Sequence, residues 1–138
     1  MKKLKDSIRK HEGLCLKPYR CPEGKLTIGY GRNLSDKGIS EREADIMLHN
    51  DLMDALAGFN MLPHAFLHLD GTRRRVIIEM IFMLGMRGFL AFKKMMRAIE
   101  AGDFASASFE ILNSKMATQV GKRASFLAET MRTGIWPK

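Results

Sequence analysis

Three side chains near the amino terminus have the types and spacing for acid–base chemistry on a polar bond. Glu12 is followed after eight residues by Cys21, and after five more by Thr27. Glu12 ends a short amphipathic stretch, with Leu4 and Ile8 at i, i+4 among charges and Gly13 as the stop. A carboxyl at that end of a helix meets the negative pole of its dipole, which favours the proton-bearing form a general acid needs. Cys21 sits between Arg20 and Pro22 at a turn, so its thiol is expected near the surface with a cation to favour thiolate. Thr27 offers a hydroxyl that can hold a water or the Cys21 side chain. Taken singly, each has a plainer account: a solvated glutamate, a small packed cysteine, a strand threonine.

Other reactive side chains carry less. His11 adjoins Glu12, but neighbours i and i+1 on a helix do not share a face. His64 and His68 stand at i, i+4 without the glutamate of a zinc-protease helix, so no metal site is expected, nor any cofactor. If Cys15 and Cys21 lie on one strand, six steps of ~3.3 Å put them about 20 Å apart. That is beyond the ~7 Å that a disulfide spans, and both thiols are expected free.

The elements that must position Glu12, Cys21 and Thr27 follow from periodicity. Leu14 and Leu16 alternate with Tyr19 beyond them, Pro22-Glu23-Gly24 marks a turn, and Leu26, Ile28 and Tyr30 alternate again, which is a β-hairpin. Ser40 and Glu43 form a capping box, with Ile39 placed to staple onto Ala44. Ala44, Leu48, Leu52, Leu56 and Phe59 then recur at helical spacing, opposite Glu41, Arg42, Asp45, His49 and Asp54. The run from Val76 to Leu84 is apolar nearly all round, so it is expected to be a central helix buried on every side. Further helices are expected at about 88–100, 103–113 and 122–132, with Gly134 as a left-handed cap.

The fold class expected is therefore α+β, mainly α, in one domain spanning 1–138. Its parts are a hairpin lobe (about 13–39), an inter-lobe helix (about 40–59) and a helical lobe (about 60–138 plus 1–12). Length and composition agree: 138 residues, 46% hydrophobic and 28% charged, suit one globular domain and exclude wholesale disorder. Eleven methionines, Met47, Met53, Met80, Met83, Met86, Met95 and Met96 among them, are expected mostly as core filling. No apolar run approaches the ~20 residues that cross a bilayer, and the basic start is not followed by an apolar stretch. Synthesis in the cytoplasm without a signal peptide, and no stable membrane insertion, are expected.

The net charge of +8 points to a polyanionic partner. Arg73-Arg74-Arg75 raises a nucleic-acid-binding module as one alternative, but the charge is scattered and no reader motif appears, so no nucleic acid is expected. An anionic cell-wall polymer suits the same charge.

The Glu12, Cys21, Thr27 spacing, with Gly13 behind the glutamate and Thr27-Ile28-Gly29-Tyr30-Gly31 around the threonine, resembles the signature of the phage-type muramidases. These are the lysozymes and endolysins related to T-even phage lysozyme, and Cys21 stands where Asp is usual. Similarity extends through Leu16-Lys17-Pro18-Tyr19, Ser40 to Phe59, Arg74-Arg75, Met80 to Gly85, Arg123-Ala124 and Met131 to Trp136. The resemblance implies a lysozyme-like fold and hydrolysis of the β-1,4 bond between N-acetylmuramic acid and N-acetylglucosamine. It makes Glu12 the acid and Cys21 the second group, as a thiolate in place of the carboxylate or as a nucleophile, with Thr27 holding water or thiol.

By the same resemblance, Arg123 is the positive partner of Glu12, and Phe82, Met83, Lys115 and Arg123 are substrate contacts. An ion pair of Arg32 with Asp51 is expected to tie the hairpin to the long helix. Relative to the T-even form the hairpin lobe is shorter, as though a strand or loop were lost. The implied partner is bacterial peptidoglycan, the expected state is a monomer, and the enzyme would reach the wall through a separately encoded membrane pore. A catalytically weak, lysozyme-like structural or binding protein is the remaining alternative, because Cys21 replaces the usual Asp.

Overall fold

A computed structural model describes residues 1–138. The chain forms two compact units, Met1–Met47 and Leu48–Lys138. The first helix, expected with the helical lobe, thus groups with the sheet, and the inter-lobe helix contributes to both units.

In the first unit, α1 (Lys2–Glu12) ends at Gly13, whose N–H returns to the Arg9 carbonyl. Its apolar pair stays largely in solvent, with Leu4 59% and Ile8 46% exposed. The hairpin forms where it is expected, although its first strand is exposed at every residue and the register shifts between Cys15 and Tyr19. Strands β1 (Cys15–Arg20) and β2 (Leu26–Gly29) run antiparallel, with Tyr19 opposite Thr27 and Arg20 opposite Leu26. A third strand, β3 (Arg32–Asn33), adds to β2, giving the order β1-β2-β3. Two residues are too few to show an alternation, which is why the sequence pattern does not reveal it.

Asn33 then caps the short α2 (Leu34–Lys37) by accepting the Asp36 N–H at 3.0 Å. The capping box forms as expected at the head of α3 (Glu41–Asn60). The Ser40 hydroxyl accepts the Glu43 N–H at 3.1 Å, and the Glu43 carboxylate accepts the Ser40 N–H at 2.8 Å.

The second unit holds α4 (His64–Leu67), α5 (Gly71–Leu90), α6 (Lys93–Glu100), α7 (Phe104–Leu112) and α8 (Lys115–Thr133). Its core contains the fully enclosed Phe66, Ile77, Met80, Phe89, Met95, Ile111, Leu127 and Met131. Methionine fills this core as expected, but Met47 and Met53 on α3 are half exposed. The same holds for the α3 stripe, where Phe59 is buried and Leu48, Leu52 and Leu56 are not. Periodicity identifies the apolar face of a helix without fixing how deeply each residue sits.

Helix α5 departs from expectation in two ways. It buries Val76, Ile77, Met80 and Ile81 but leaves Phe82 at the surface and Ile78, Met83 and Leu84 partly covered, so it is not enclosed on every side. It also breaks at Gly85, whose φ of 71° and ψ of 166° are open essentially to glycine alone. The last helix bends at Val120 and Gly121, near the polar stretch that separates the expected segments, and Gly134 caps it in the left-handed conformation.

Arg73 fastens the two ends of this unit's long helices. Its guanidinium donates to the carbonyls of Met131 at 2.6 Å and Arg132 at 2.9 Å, and pairs with Asp70 at 3.1 Å.

Candidate active site

All three signature side chains belong to the first unit. Glu12 is set at the C-terminal end of α1 because Gly13 stops the helix there, and its side chain is exposed. The carboxyl lies against the backbone of the turn between β2 and β3. A Cβ placed on Gly31 would fall 2.7 Å from Glu12 Oε2, and Gly31 has a φ of +81°. Glycine is needed there for the backbone conformation and for the space.

Cys21 opens the turn between β1 and β2. Its carbonyl accepts the Gly24 N–H at 2.8 Å and its N–H donates to the Lys25 carbonyl at 2.9 Å. Thr27, 5% exposed, donates its hydroxyl to that same Lys25 carbonyl at 3.0 Å. The turn therefore joins Cys21 to Thr27 through one backbone oxygen. The thiol itself is half-buried and donates to Glu23 Oε2 at 3.2 Å. This bond, followed by the Glu23 backbone N–H, holds the Glu23 carboxyl below its ordinary value.

Arg20, the cation expected to favour thiolate, donates to the Gly24 carbonyl at 2.9 Å, where it braces the turn. The thiol meets a carboxylate two residues on, that of Glu23. Glu23 reads in the sequence only as part of a turn signal, yet it is the side-chain partner of Cys21.

Two further arginines take carboxylate partners within their own units. Arg32 pairs with both oxygens of Glu43 and donates to the Gly38 carbonyl at 3.1 Å. Glu43 is consequently held down at about 2, first by the Arg32 hydrogen bonds and then by the Ser40 N–H. Arg123 donates to Glu79 Oε1 at 3.0 Å. Glu79 was absent from the sequence-derived site because it reads as one charge in an apolar helix. Its second oxygen is buried without a hydrogen-bond partner.

The four expected substrate contacts all lie in the second unit but do not converge. Phe82 and Arg123 line a cavity of about 340 Å³ with Arg75, Glu79 and Trp136. Lys115 lines a different cavity of about 640 Å³, alongside Lys93, Lys94 and Arg97. Met83 packs against the core. A cavity of about 740 Å³ in the first unit includes Gly31 and Arg32 in its lining but none of Glu12, Cys21 or Thr27. Both cysteines are free, and no group of three or more His, Cys, Asp or Glu residues is placed to hold a metal ion.

Residues 9–129 match the family model described as phage lysozyme. The chain belongs to the phage lysozyme family. It is accordingly a lysozyme, a glycoside hydrolase, with the fold of that family: a small antiparallel sheet near the amino terminus and helices beyond. Among curated proteins, this lysozyme is 30% identical to an endolysin of Acyrthosiphon pisum secondary endosymbiont phage 1, over 84% of its own length and 80% of the relative's. It is 26% identical to a probable T4-type lysozyme 2 of Dictyostelium discoideum, across 95% of its own length and 94% of the relative's. No helix of the lysozyme is long and apolar enough to cross a membrane.

Proposed function

We propose that this lysozyme is an endolysin that hydrolyses the β-1,4 bond between N-acetylmuramic acid and N-acetylglucosamine in bacterial peptidoglycan. The observation that carries the reading is the family match across residues 9–129, a span that contains Glu12, Cys21 and Thr27 at the signature spacing. Glycoside hydrolysis requires a proton for the departing oxygen and a second group on the opposite face of the sugar. Glu12 gives the proton. Its exposed carboxyl, seated on a glycine turn that leaves room for it, suits that task.

The second group is centred on Cys21, with Thr27 bracing the same turn through the Lys25 carbonyl. Phe82 and Arg123 furnish sugar contacts from one cavity and Lys115 from another, and Met83 a further one from α5. The net charge of +8 attracts an anionic wall polymer and speeds encounter in a salt-dependent way. The enzyme works as a monomer, takes no cofactor or metal, binds no nucleic acid, and reaches the wall through a separately encoded membrane pore.

A turbidity assay on permeabilised Gram-negative cells, with wild type beside Glu12→Gln, tests this function. Clearing by the wild type and its near-total loss in a folded Glu12→Gln are expected. Equal clearing by both would overturn the assignment of Glu12.

A further inference from the structure

His64 and His68 are a reactive pair that the hydrolysis leaves unused. They bracket α4, at its first residue and at the residue that caps its end. The turn between them is held from the other side: Phe66 is fully enclosed in the core of the second unit, and Leu62, just before the helix, is buried. Residues four apart share a face of a helix, and Phe66 lies on the opposite one, so anchoring Phe66 turns both imidazoles outward. Both are exposed.

The rings meet at their tips. Nε2 of His64 and Nε2 of His68 are 2.6 Å apart, with ring centroids at 4.1 Å and planes inclined by 71°. At that separation one Nε2 carries the proton and the other offers its lone pair. The neighbouring carboxylate, Asp70, is engaged by Arg73. Water would serve two exposed imidazoles as well as they serve each other, so the contact adds little to stability. What it does supply is two convergent nitrogens on one short arc. The missing glutamate of a zinc-protease helix bears on catalysis and leaves chelation open.

We propose that His64 and His68 form a two-nitrogen site for a divalent transition-metal ion of the Cu2+ or Ni2+ type. Bonds of about 2.0–2.1 Å meeting at a right angle place their nitrogens about 2.9 Å apart, while a tetrahedral ion needs about 3.3 Å. The pair is nearer the first, the angle between neighbouring ligands in the tetragonal geometry of these ions. Binding makes two nitrogen–metal bonds and breaks the hydrogen bond between the rings. The one Nε2 proton passes to Nδ1 of the same ring, where water accepts from it, so both rings stay neutral and no proton is released. Water fills the remaining positions, since no third His, Cys, Asp or Glu joins the pair.

The hydrolysis takes no metal, and this ion lies outside it; its effect is on folding. Helix α4 is about one turn long and connects α3 to α5. A metal clip across that turn ties down the segment that carries Phe66 into the core. A ligand that binds only the native chain raises the melting temperature as its concentration rises.

The test titrates Ni2+, which unlike Cu2+ does not oxidise the two free thiols, into the full chain. Wild type is compared with His64→Gln and His68→Gln. Proton NMR of the histidine rings should show His64 and His68 broadened first by the paramagnetic ion, ahead of His11 and His49. Thermal melts over the same titration should rise for the wild type and stay flat for both variants. Each variant should bind Ni2+ at least about tenfold more weakly, the least that losing even a supporting partner of a metal ligand costs. Circular dichroism without metal confirms that each variant folds. Equal affinity in all three proteins, broadening that begins at His11 or His49, or no binding by the wild type would each overturn the site. Binding that leaves the wild-type melt unmoved would overturn the clip.

Discussion

Cys21 and Thr27 hang from one atom. The Lys25 carbonyl accepts the Cys21 N–H at 2.9 Å and the Thr27 hydroxyl at 3.0 Å, so the turn and the returning strand are locked to each other at the point where the signature residues lie. The threonine hydroxyl thus braces the turn that carries Cys21.

Replacing Thr27 by Val keeps the volume of the side chain and removes the donor. The Lys25 carbonyl retains the Cys21 N–H, so no buried acceptor is orphaned, and the stability loss should be about 1 kcal/mol. Activity should drop by more than that figure converts to, because the turn loses its brace. Denaturant midpoints and wall-clearing rates measured on the same preparation check both parts, and a variant with unchanged clearing would count against the brace.

Glu43 sets an acid limit on the first unit. Its ordinary value of 4.5 falls to about 2 in the folded chain. A depressed carboxyl contributes stability that is fully present above its unfolded value and is lost as pH falls through the folded one. The contribution is therefore whole above pH 4.5 and disappears progressively toward pH 2. Glu43→Gln should be less stable than wild type near neutrality, and the gap should close on acidification over that window. Thermal melts of both proteins across the acid range read this directly; a gap independent of pH would refute it.

Arg73 carries a different load. Two of its bonds go to backbone carbonyls some sixty residues away, and its side chain is only 15% exposed. Hydrogen bonds from a charged donor are worth about 1.5–3 kcal/mol each. Arg73→Met, which keeps most of the aliphatic stem, should cost at least about 2 kcal/mol in the second unit. Arg73→Lys should recover only part of that loss, since one ammonium cannot reproduce the fork. Chemical denaturation of the two variants ranks them.

Features written in a few consecutive residues were legible in the sequence. The hairpin, the Ser40–Glu43 capping box, the stop at Gly13 and the left-handed cap at Gly134 all arise from local spacing, and all are present. The partners of long side chains were not legible. Arg32, Arg123 and Arg20 each reach several acceptors, and which one wins depends on where the backbone has already been placed. The break at Gly85 was hidden for another reason: the apolar run continues on both sides of it, so periodicity gives no warning. The contact of Cys21 with Glu23 was masked, because Glu23 reads as part of a turn motif.

Gly31 is expected to behave like a site residue although it brings no reactive group. In Gly31→Ala the left-handed backbone costs about 1–2 kcal/mol, and the new methyl meets the Glu12 carboxyl. Activity should therefore fall by more than the loss of folded protein explains. Specific activity corrected for the folded fraction tests this, and a variant that loses only stability would show that Glu12 moves aside without consequence.

For anyone wishing to harden this enzyme against heat, the same distribution of glycines draws a map. Glycine-to-alanine exchange raises a melting point by taking freedom from the unfolded chain, provided the native backbone and its surroundings accept a methyl. Gly31 fails on both counts. Gly71 passes both: it is the first residue of α5, its φ is not in the left-handed range, and a Cβ there meets nothing within 4 Å. Gly71→Ala should gain about 0.4–1 kcal/mol, seen as a higher melting temperature with unaltered wall clearing. The thermostability available to alanine thus lies at the head of a helix in the second unit, and the glycine beside the proposed acid is where that strategy must stop.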